Sequence, residues 1–437
     1  MNAATDTTSL KRVVGVGGLG FNVVNLTIAS GIFGLPAILA GILGPQAILA
    51  YFVCAVLFGL VGLCFAEAGS RVGSAGGLYA YASVPFGPIV GGIAGTLLWV
   101  ATGAVADAAI VNLLVDTLGA VIPALAPTWV RVSIMLGLFA VLATINIRGV
   151  RYGVRLSVTL TIIKIAPLVL LVIAGAFAID PSRLHWTAMP SISSIGYASV
   201  SVFYVFMGVE TALSMSGEVL RPARTVPRAI LMGLLIIVTL YVGLQLVAQG
   251  TLGSALAQSK APLVEAATIV FGSWGGVLLL SAIALSASGC LAADLLSTPR
   301  VLYALAQQGQ LPRQLGKIHT RFGTPAAAIG VYACVCAVLA LSGTFKQLLI
   351  ISSSGTLILY AICCLGVLRL RAHGIAMEGA AYQAPGGPFV PLVATAIILW
   401  MLSTLSMWEL LAAVGLISVA GVGYTARVRM SGLPPGA

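Results

Sequence analysis

The chain alternates long apolar stretches with short polar loops along nearly its whole length. Runs of about 20 or more apolar residues, each long enough to cross roughly 30 Å of hydrocarbon as a helix, recur about twelve times. This pattern predicts an all-helical membrane protein of about 12 transmembrane helices, without a separate water-soluble domain. The predicted segments lie near residues 14–42, 46–68, 87–118, 130–147, 154–179, 194–217, 229–250, 270–304, 325–343, 347–369, 388–405 and 408–426.

Two of these segments contain residues that do not sustain a helix. The first segment has Ser-Gly and Gly-Leu-Pro steps within residues 27–36 (TIASGIFGLP), and the sixth has a glycine within residues 206–210 (FMGVE). A helix interrupted at membrane depth is tolerated only where protein or a water-filled cavity satisfies the freed backbone groups. Matching interruptions in two halves of a chain indicate the substrate site of a secondary transporter. A glycine-rich packing seam between helices is the alternative.

Segments one and six are predicted to enter the membrane from opposite sides and to break near its middle. This parity predicts a five-plus-five inverted repeat followed by two further helices, all within one transporter domain of residues 1–437. The first repeat covers residues 14–179, the second covers 194–369, and the two trailing helices lie within 388–426.

Charge is scarce in this chain and unevenly distributed. Hydrophobic residues make up 59% of the chain and charged residues 8%, whereas soluble domains carry roughly 25% charged residues. Of the 22 Lys and Arg residues, 17 fall on the side of the N-terminus and Lys164 falls inside the membrane. Because cytoplasmic loops collect positive charge, both termini are predicted to be cytoplasmic in a multi-pass protein of the plasma (inner) membrane. The four basic residues on the opposite side are Arg131, Arg183, Lys260 and Lys346.

The residue pattern gives no support to several other classes of function. The net charge of +11 is not gathered into a basic block with interleaved aromatic residues, so nucleic-acid binding is not expected. The seven cysteines lie in apolar segments and the three histidines in separate loops, so no metal, cofactor or catalytic centre is expected. The repeated filter or ring of like charges typical of a channel is not found either. A transporter is therefore predicted, with a sensor on a carrier fold as the alternative.

The two interruptions predict a binding site made of backbone groups. N–H groups that lose their helical acceptors, beside the positive end of the following half-helix, suit a carboxylate, and we expect them at Ser30, Gly31 and Ile32. Stranded carbonyl groups have the opposite polarity and suit an ammonium group. We expect these carbonyls at Thr27, Tyr204 and Met207. A site with both features recognises the head group of an α-amino acid.

Four stretches of the chain carry a resemblance to a known family. They are residues 29–33 (ASGIF), 73–81 (GSAGGLYAY), 206–210 with Glu218 and the prolines of 222–227, and 300–312, which end in GQLP. In this order and with this placement on helices, the chain resembles the amino acid–polyamine–organocation (APC) transporters over nearly its whole length. The resemblance implies a LeuT-like fold with broken helices 1 and 6. It also implies amino acids or related amines as the transported solutes.

Lys164 lies roughly ten residues, or ~15 Å, into an otherwise apolar helix. A charge at that depth is costly unless it faces the protein interior with a partner, and snorkelling toward the cytoplasm is the alternative. In proton-coupled members of the family, a lysine at a similar position takes the place of a sodium ion and bridges the first and eighth helices. The resemblance therefore implies proton-coupled, sodium-independent transport, with partners of Lys164 at Asn25, Ser286 and Ser288.

The resemblance also assigns residues to gating and to the substrate side chain. Glu210 follows the second interruption at a position linked to gating and proton sensing in arginine and polyamine exchangers, which keeps solute exchange open as the alternative to symport. Two acids inside the membrane, Asp107 and Asp294, favour a cationic substrate; alternatively, one of them pairs with Lys164 or faces water at a helix end. The residues expected around the side-chain pocket and gate are Ala106, Asp107, Tyr204, Phe206, Gly208 and Asp294. The oligomeric state is left open.

Overall fold

A computed structural model describes residues 15–72, 77–148, 154–186, 188–208, 222–376, 382–415 and 418, with the backbone alone for 154–163 and 222–224. Across these ranges the regular structure is helical and contains no β-strand. The main α-helices in these ranges are α1 (Val16–Thr27), α2 (Leu35–Leu43), α3 (Ile48–Val72), α4 (Gly77–Phe86), α5 (Pro88–Leu97), α6 (Ala106–Val121), α7 (Thr128–Ile147), α8 (Val154–Gly175), α9 (Ile192–Phe206), α10 (Pro222–Leu252), α11 (Pro262–Phe271), α12 (Ser273–Gln307), α13 (Ala326–Ser342), α14 (Phe345–Ala372) and α15 (Phe389–Ser403). A further helical stretch covers residues 407–415.

Many of these helices are suited to a lipid environment. Within the described part of the chain, six helical stretches are long and apolar enough to cross a membrane. They are Leu35–Val72, Pro88–Val121, Thr128–Ile147, Thr225–Gln258, Ser273–Gln307 and Phe345–Ala372, and five shorter apolar helices accompany them. Large apolar side chains such as Phe177, Leu231 and Val338 are exposed, as lipid contact requires. The prediction of an all-helical membrane protein is confirmed, whereas the count of twelve spans and the inverted repeat stay predictions.

Helix α14 lies at the centre of the molecule and is buried along most of its length. It packs against α3, α6, α9 and α15. Aromatic rings fill the space where α3, α9 and α14 meet: the Phe58 ring centroid lies 5.0 Å from that of Phe203, and Phe203 lies 5.3 Å from Tyr360. These fully buried rings hold α9 against α3 and α14.

Helices α1 and α10 approach each other unusually closely. A β-carbon added at Gly233 would lie 2.8 Å from the Val23 side chain and 3.4 Å from the Gly20 carbonyl oxygen. Small residues at such contacts let two helix backbones pack together within a membrane. As a result, α10 is held alongside the end of α1, where the first interruption begins.

Helix α11 was not among the predicted segments. It ends at Phe271, and α12 begins at Ser273, within a few residues of the predicted start of the eighth segment. Gly272 between them has φ +73°, a left-handed conformation that breaks the helix and that glycine adopts readily. Because many residues on both sides of Gly272 are apolar, the hydropathy pattern alone does not reveal this turn.

Candidate functional site

The first predicted interruption is present. Helix α1 ends at Thr27, and Ile28 and Ala29 are extended, with φ −75°, ψ 90° and φ −107°, ψ −177°. A single 3₁₀ turn, Ser30–Phe33, follows, and α2 then begins at Leu35. All four residues of the turn are buried, so the interruption lies inside the protein rather than against lipid.

The second interruption lies directly against the first. Helix α9 ends at Phe206, and Gly208 has φ +112°. A β-carbon added at Gly208 would lie 2.5 Å from the Leu26 carbonyl oxygen, closer than any side chain can approach. Gly208 is thus required both for its backbone conformation and for contact with the end of α1. We call the meeting point of the two interrupted helices, residues 27–33 and 204–208, the break junction.

The end of α1 leaves carbonyl groups that need donors from elsewhere. The Val24 carbonyl accepts from the Ile28 N–H at 3.0 Å, as in a continuing helix. The next carbonyl, that of Asn25, accepts from the Lys164 Nζ of α8 at 2.7 Å. Lys164 therefore faces the protein interior and contacts the first interrupted helix, rather than snorkelling to the surface.

A tyrosine of α10 donates hydrogen bonds to carbonyl groups of both interrupted helices. The Tyr241 hydroxyl lies 3.2 Å from the Thr27 carbonyl oxygen and 3.0 Å from the Val205 carbonyl oxygen. Tyr241 is fully buried, so its single proton is shared between two acceptors that have little access to water. The sequence reasoning missed this residue, although a hydroxyl among the aliphatic residues of segment seven was a signal that could have found it.

Tyr204 connects the break junction to α6. Its ring packs where a β-carbon of Gly31 would lie, 2.7 Å from the ring edge, and its hydroxyl donates to the Ala106 carbonyl oxygen at 2.8 Å. On its other side, the ring meets that of Phe345 edge-on, with centroids 6.2 Å apart. Tyr204 thus covers the first interruption, as a lid would.

Two buried hydroxyl groups at the break junction lack hydrogen-bond partners. Within the part of the chain that the structure describes, Thr27 Oγ1 and Ser30 Oγ have neither a donor nor an acceptor. Buried polar groups are nearly always satisfied, and an exception often marks a place for water, an ion or a ligand. The Cys290 thiol of α12 faces the Ser30 N–H and also lies near Lys164, which places α12 beside the junction.

The two acids predicted inside the membrane face each other. Asp107 is the second residue of α6, just after a π-helical turn, Leu98–Val105, and is fully buried. Its Oδ2 accepts from the Tyr332 hydroxyl of α13 at 2.9 Å, and its carboxyl group faces that of Asp294 on α12. Single π turns are frequent at functional sites because they re-aim the residues that follow. Tyr332 and the pairing of the two acids were not predicted.

The remaining predicted residues that the structure describes lie at the end of α9 and on α12. Phe206 is fully buried in the aromatic core, with its ring centroid 5.5 Å from that of Tyr241. Met207 follows it at the end of α9. On α12, Ser286 is buried and Ser288 is half-buried. Glu210 lies outside the described residues.

A cavity of about 540 Å³ opens beside the junction. Its inner wall includes Gly34, Leu113 and Phe345, and its outer part is rich in basic side chains. Ligand cavities commonly have volumes of roughly 300–1,000 Å³, and the volume of this cavity lies within that range. Elsewhere in the described ranges, no group of three His, Cys, Asp or Glu side chains is placed to hold a metal ion.

Comparison with known proteins identifies the family. The amino acid permease family matches residues 18–408, which is most of the chain and includes both interruptions and the paired acids. The chain belongs to the amino acid permease family. It is therefore a multi-pass membrane transporter of amino acids and not an enzyme.

Relatives of the permease differ in the solutes their names give. The chain is 30% identical over 404 residues to the serine/threonine exchanger SteT of Bacillus subtilis (strain 168), which covers 90% of each chain. It is 30% identical over 396 residues to the branched-chain amino acid permease BcaP of Lactococcus lactis subsp. cremoris (strain MG1363), with 84% of each chain covered. Cationic amino acid transporter 4 of Mus musculus is 26% identical over 406 residues, or 87% of this chain and 63% of the mouse protein.

Proposed function

We propose that this permease is a secondary active transporter that moves its amino acid substrate through the break junction by alternating access, driven by protons and independent of sodium. The observation that carries this proposal is the contact between the Lys164 ammonium group and the Asn25 carbonyl. The C-terminal end of a helix attracts a cation, because its unsatisfied carbonyls carry partial negative charge. In this permease a side-chain amine fills that place and can gain or lose a proton.

Proton transfer at Lys164 would change how firmly α1 is held. A charge-assisted hydrogen bond is roughly twice as strong as a neutral one, so loss of the proton weakens the attachment of α1 to α8. Weakening this contact frees the first interrupted helix to move. In this way the binding of a proton and the position of α1 become linked.

The carboxylate and amine groups of the substrate are proposed to bind at the break junction. The N–H groups of Ser30, Gly31 and Ile32 would hold its carboxylate, and the carbonyls of Thr27, Tyr204 and Met207 would hold its amine. The partnerless hydroxyls of Thr27 and Ser30 support this placement, because they leave buried polar atoms for a ligand to satisfy. The Thr27 carbonyl already accepts from Tyr241, but an oxygen with two lone pairs can accept a second donor.

The architecture proposed for this cycle is a pair of inverted repeats, residues 14–179 and 194–369, followed by two helices within 388–426. Both termini are placed in the cytoplasm, and the protein is placed in the plasma membrane. Rigid-body motion of the helices around the junction would expose the substrate to each side in turn.

Uptake into proteoliposomes tests this proposal. Radiolabelled serine, leucine and lysine are offered with and without an inward proton gradient, in sodium-free buffer, to the wild type and to Lys164→Gln. The glutamine side chain still donates a hydrogen bond but cannot carry a proton charge. Gradient-driven accumulation is expected in the wild type and is expected to be lost in the variant, while exchange of labelled for unlabelled substrate persists.

Solute exchange is the second candidate, and the similarity to the serine/threonine exchanger SteT favours it. Uptake that ignores the gradient but requires substrate inside the vesicle would establish an exchanger and contradict the coupling role of Lys164. The facing acids Asp107 and Asp294 support a further variant of either function, in which the substrate is cationic. A protein that binds amino acids without any flux would instead be a sensor.

A further inference from the structure

The cavity beside the break junction opens at one face of the molecule. It is lined at the N-terminal end of α14 by Thr344, Phe345 and Lys346. At the other end of α14, Arg371 pairs with the buried Glu67 of α3. A helix of 28 residues is about 42 Å long, so the cavity and this ion pair lie at opposite membrane faces. If the termini are cytoplasmic, the cavity faces the outside.

The inner wall of this cavity lies next to the break junction. Phe345 forms part of the wall, and its ring meets the Tyr204 ring edge-on. Tyr204 in turn lies over Gly31. Phe345 and Tyr204 therefore lie between the cavity and Gly31, so a solute that reaches the proposed substrate site from this face would enter through the cavity.

The charges around the entrance are unbalanced. Four charged residues line it, and one of them, Asp116, forms an ion pair with Arg131. Lys260 and Lys346 are exposed and bring the lining to three positive charges against one negative charge, and Asp116 attracts Lys260 as well as Arg131. Clefts lined by one sign of charge focus the field and change the local concentration of charged solutes. We call this cavity, with Arg131, Lys260 and Lys346 at its rim, the basic vestibule.

We propose that the basic vestibule selects substrates by side-chain charge, admitting amino acids with neutral or acidic side chains and disfavouring those with cationic ones. This selection rests on the proposed route through the break junction. The vestibule would distinguish neutral from cationic substrates, a choice that the facing acids leave open, because a solute with an additional ammonium group must first pass two exposed lysines. In this proposal Asp107 and Asp294 act only after the substrate has passed the basic vestibule, so their presence does not make the substrate cationic.

Competition between solutes of matched size tests whether the basic vestibule selects by side-chain charge. Uptake of labelled serine or leucine is measured in intact cells, where every copy has one orientation, with cells lacking the permease as background. The competitors are norleucine against lysine, and homoserine against 2,4-diaminobutyrate. We expect the neutral member of each pair to compete better in the wild type. In Lys260→Gln/Lys346→Gln, this preference is expected to fall roughly three- to fivefold at low ionic strength.

Two control variants separate charge from structure. Lys260→Arg/Lys346→Arg keeps both charges and should keep the wild-type preference. Lys317→Gln removes one exposed positive charge from the loop before α13, at the end remote from the vestibule, and should change nothing. The charge-selection proposal would be overturned if the double glutamine variant kept the wild-type preference, or if the wild type took lysine as readily as norleucine. Either result would leave the proposed transport function intact. A complete absence of amino acid uptake would instead contradict the proposed transport function.

Discussion

The Tyr241 hydroxyl supplies the donor for one carbonyl of each interrupted helix. Phenylalanine at this position keeps the ring, which packs against Phe206, but leaves both carbonyls without that donor in a buried place. A buried polar group left unsatisfied costs about 1–3 kcal/mol. We therefore expect Tyr241→Phe to lower the stability of the permease by this amount, measured as the shift in unfolding of the protein in detergent.

Tyr51 offers a matched control for this substitution. It is also fully buried, its ring centroid lies 6.3 Å from that of Tyr241, and its hydroxyl makes only a long contact of 3.4 Å with Gln245. Tyr51→Phe should therefore destabilise less than Tyr241→Phe. Equal losses in the two variants would show that the two carbonyls of the break junction do not depend on the hydroxyl.

At the scale of residues, the sequence predicts which side chains are unusual for their surroundings, but it seldom predicts which residues they contact. Lys164 is conspicuous as a charge in an apolar segment, and its contact with Asn25 was expected. Tyr241 and Tyr332 are less conspicuous, because a tyrosine is compatible with an ordinary core. That Asp107 faces Asp294 depends on how α6 and α12 pack together, which the spacing of residues along either helix does not contain.

Helices α3 and α14 are tied together at one end by a buried ion network. Glu67 is inaccessible to solvent and accepts from Arg371 at 2.5 and 2.7 Å and from Arg71 at 3.0 Å. The Ala384 N–H, in the segment before α15, also donates to Glu67 at 2.8 Å. One carboxylate therefore joins two helices and the segment that leads into α15.

Arg371→Ala is expected to destabilise the permease by about 2–4 kcal/mol. Removing one partner of a buried ion pair is costly because the remaining charge stays buried without full compensation. Arg71 and the Ala384 N–H still contact Glu67, so the loss should not reach the upper extreme. Unfolding in detergent measures the effect, and Arg369→Ala is the control, since Arg369 is exposed and stacks over Phe86 instead. Equal effects of the two substitutions would contradict the network's role.

At the scale of elements, apolar length predicts most helices, and local chemistry predicts where two of them break. The Ser-Gly step and Pro36 locate the first interruption correctly, because these residues weaken a helix wherever they occur. The turn at Gly272 and the π-helical turn Leu98–Val105 are not visible in the sequence. Both lie among apolar residues, and the surrounding packing selects their conformation.

For the whole molecule, the proposed alternating access requires the walls of the basic vestibule to move relative to each other. One wall is α2, which continues from the break junction, and another is the 3₁₀ segment Gly253–Gln258 that follows α10. A β-carbon at Gly41 of α2 would lie 4.0 Å from that of Ala257. This separation is suitable for a disulfide, whose β-carbons lie about 3.5–4.5 Å apart.

Cysteines at positions 41 and 257 are therefore expected to cross-link on mild oxidation and to stop transport. The variant Gly41→Cys/Ala257→Cys is made with Cys334→Ser, because Cys334 is an exposed cysteine of the described chain. Uptake should fall by at least about tenfold when the vestibule walls are joined, since closure and opening accompany each transport cycle. A reductant should restore it, and each single cysteine variant should transport with or without oxidant. Full transport by the cross-linked protein would show that α2 and the segment Gly253–Gln258 move as one body, and that the substrate is released by motion elsewhere in the permease.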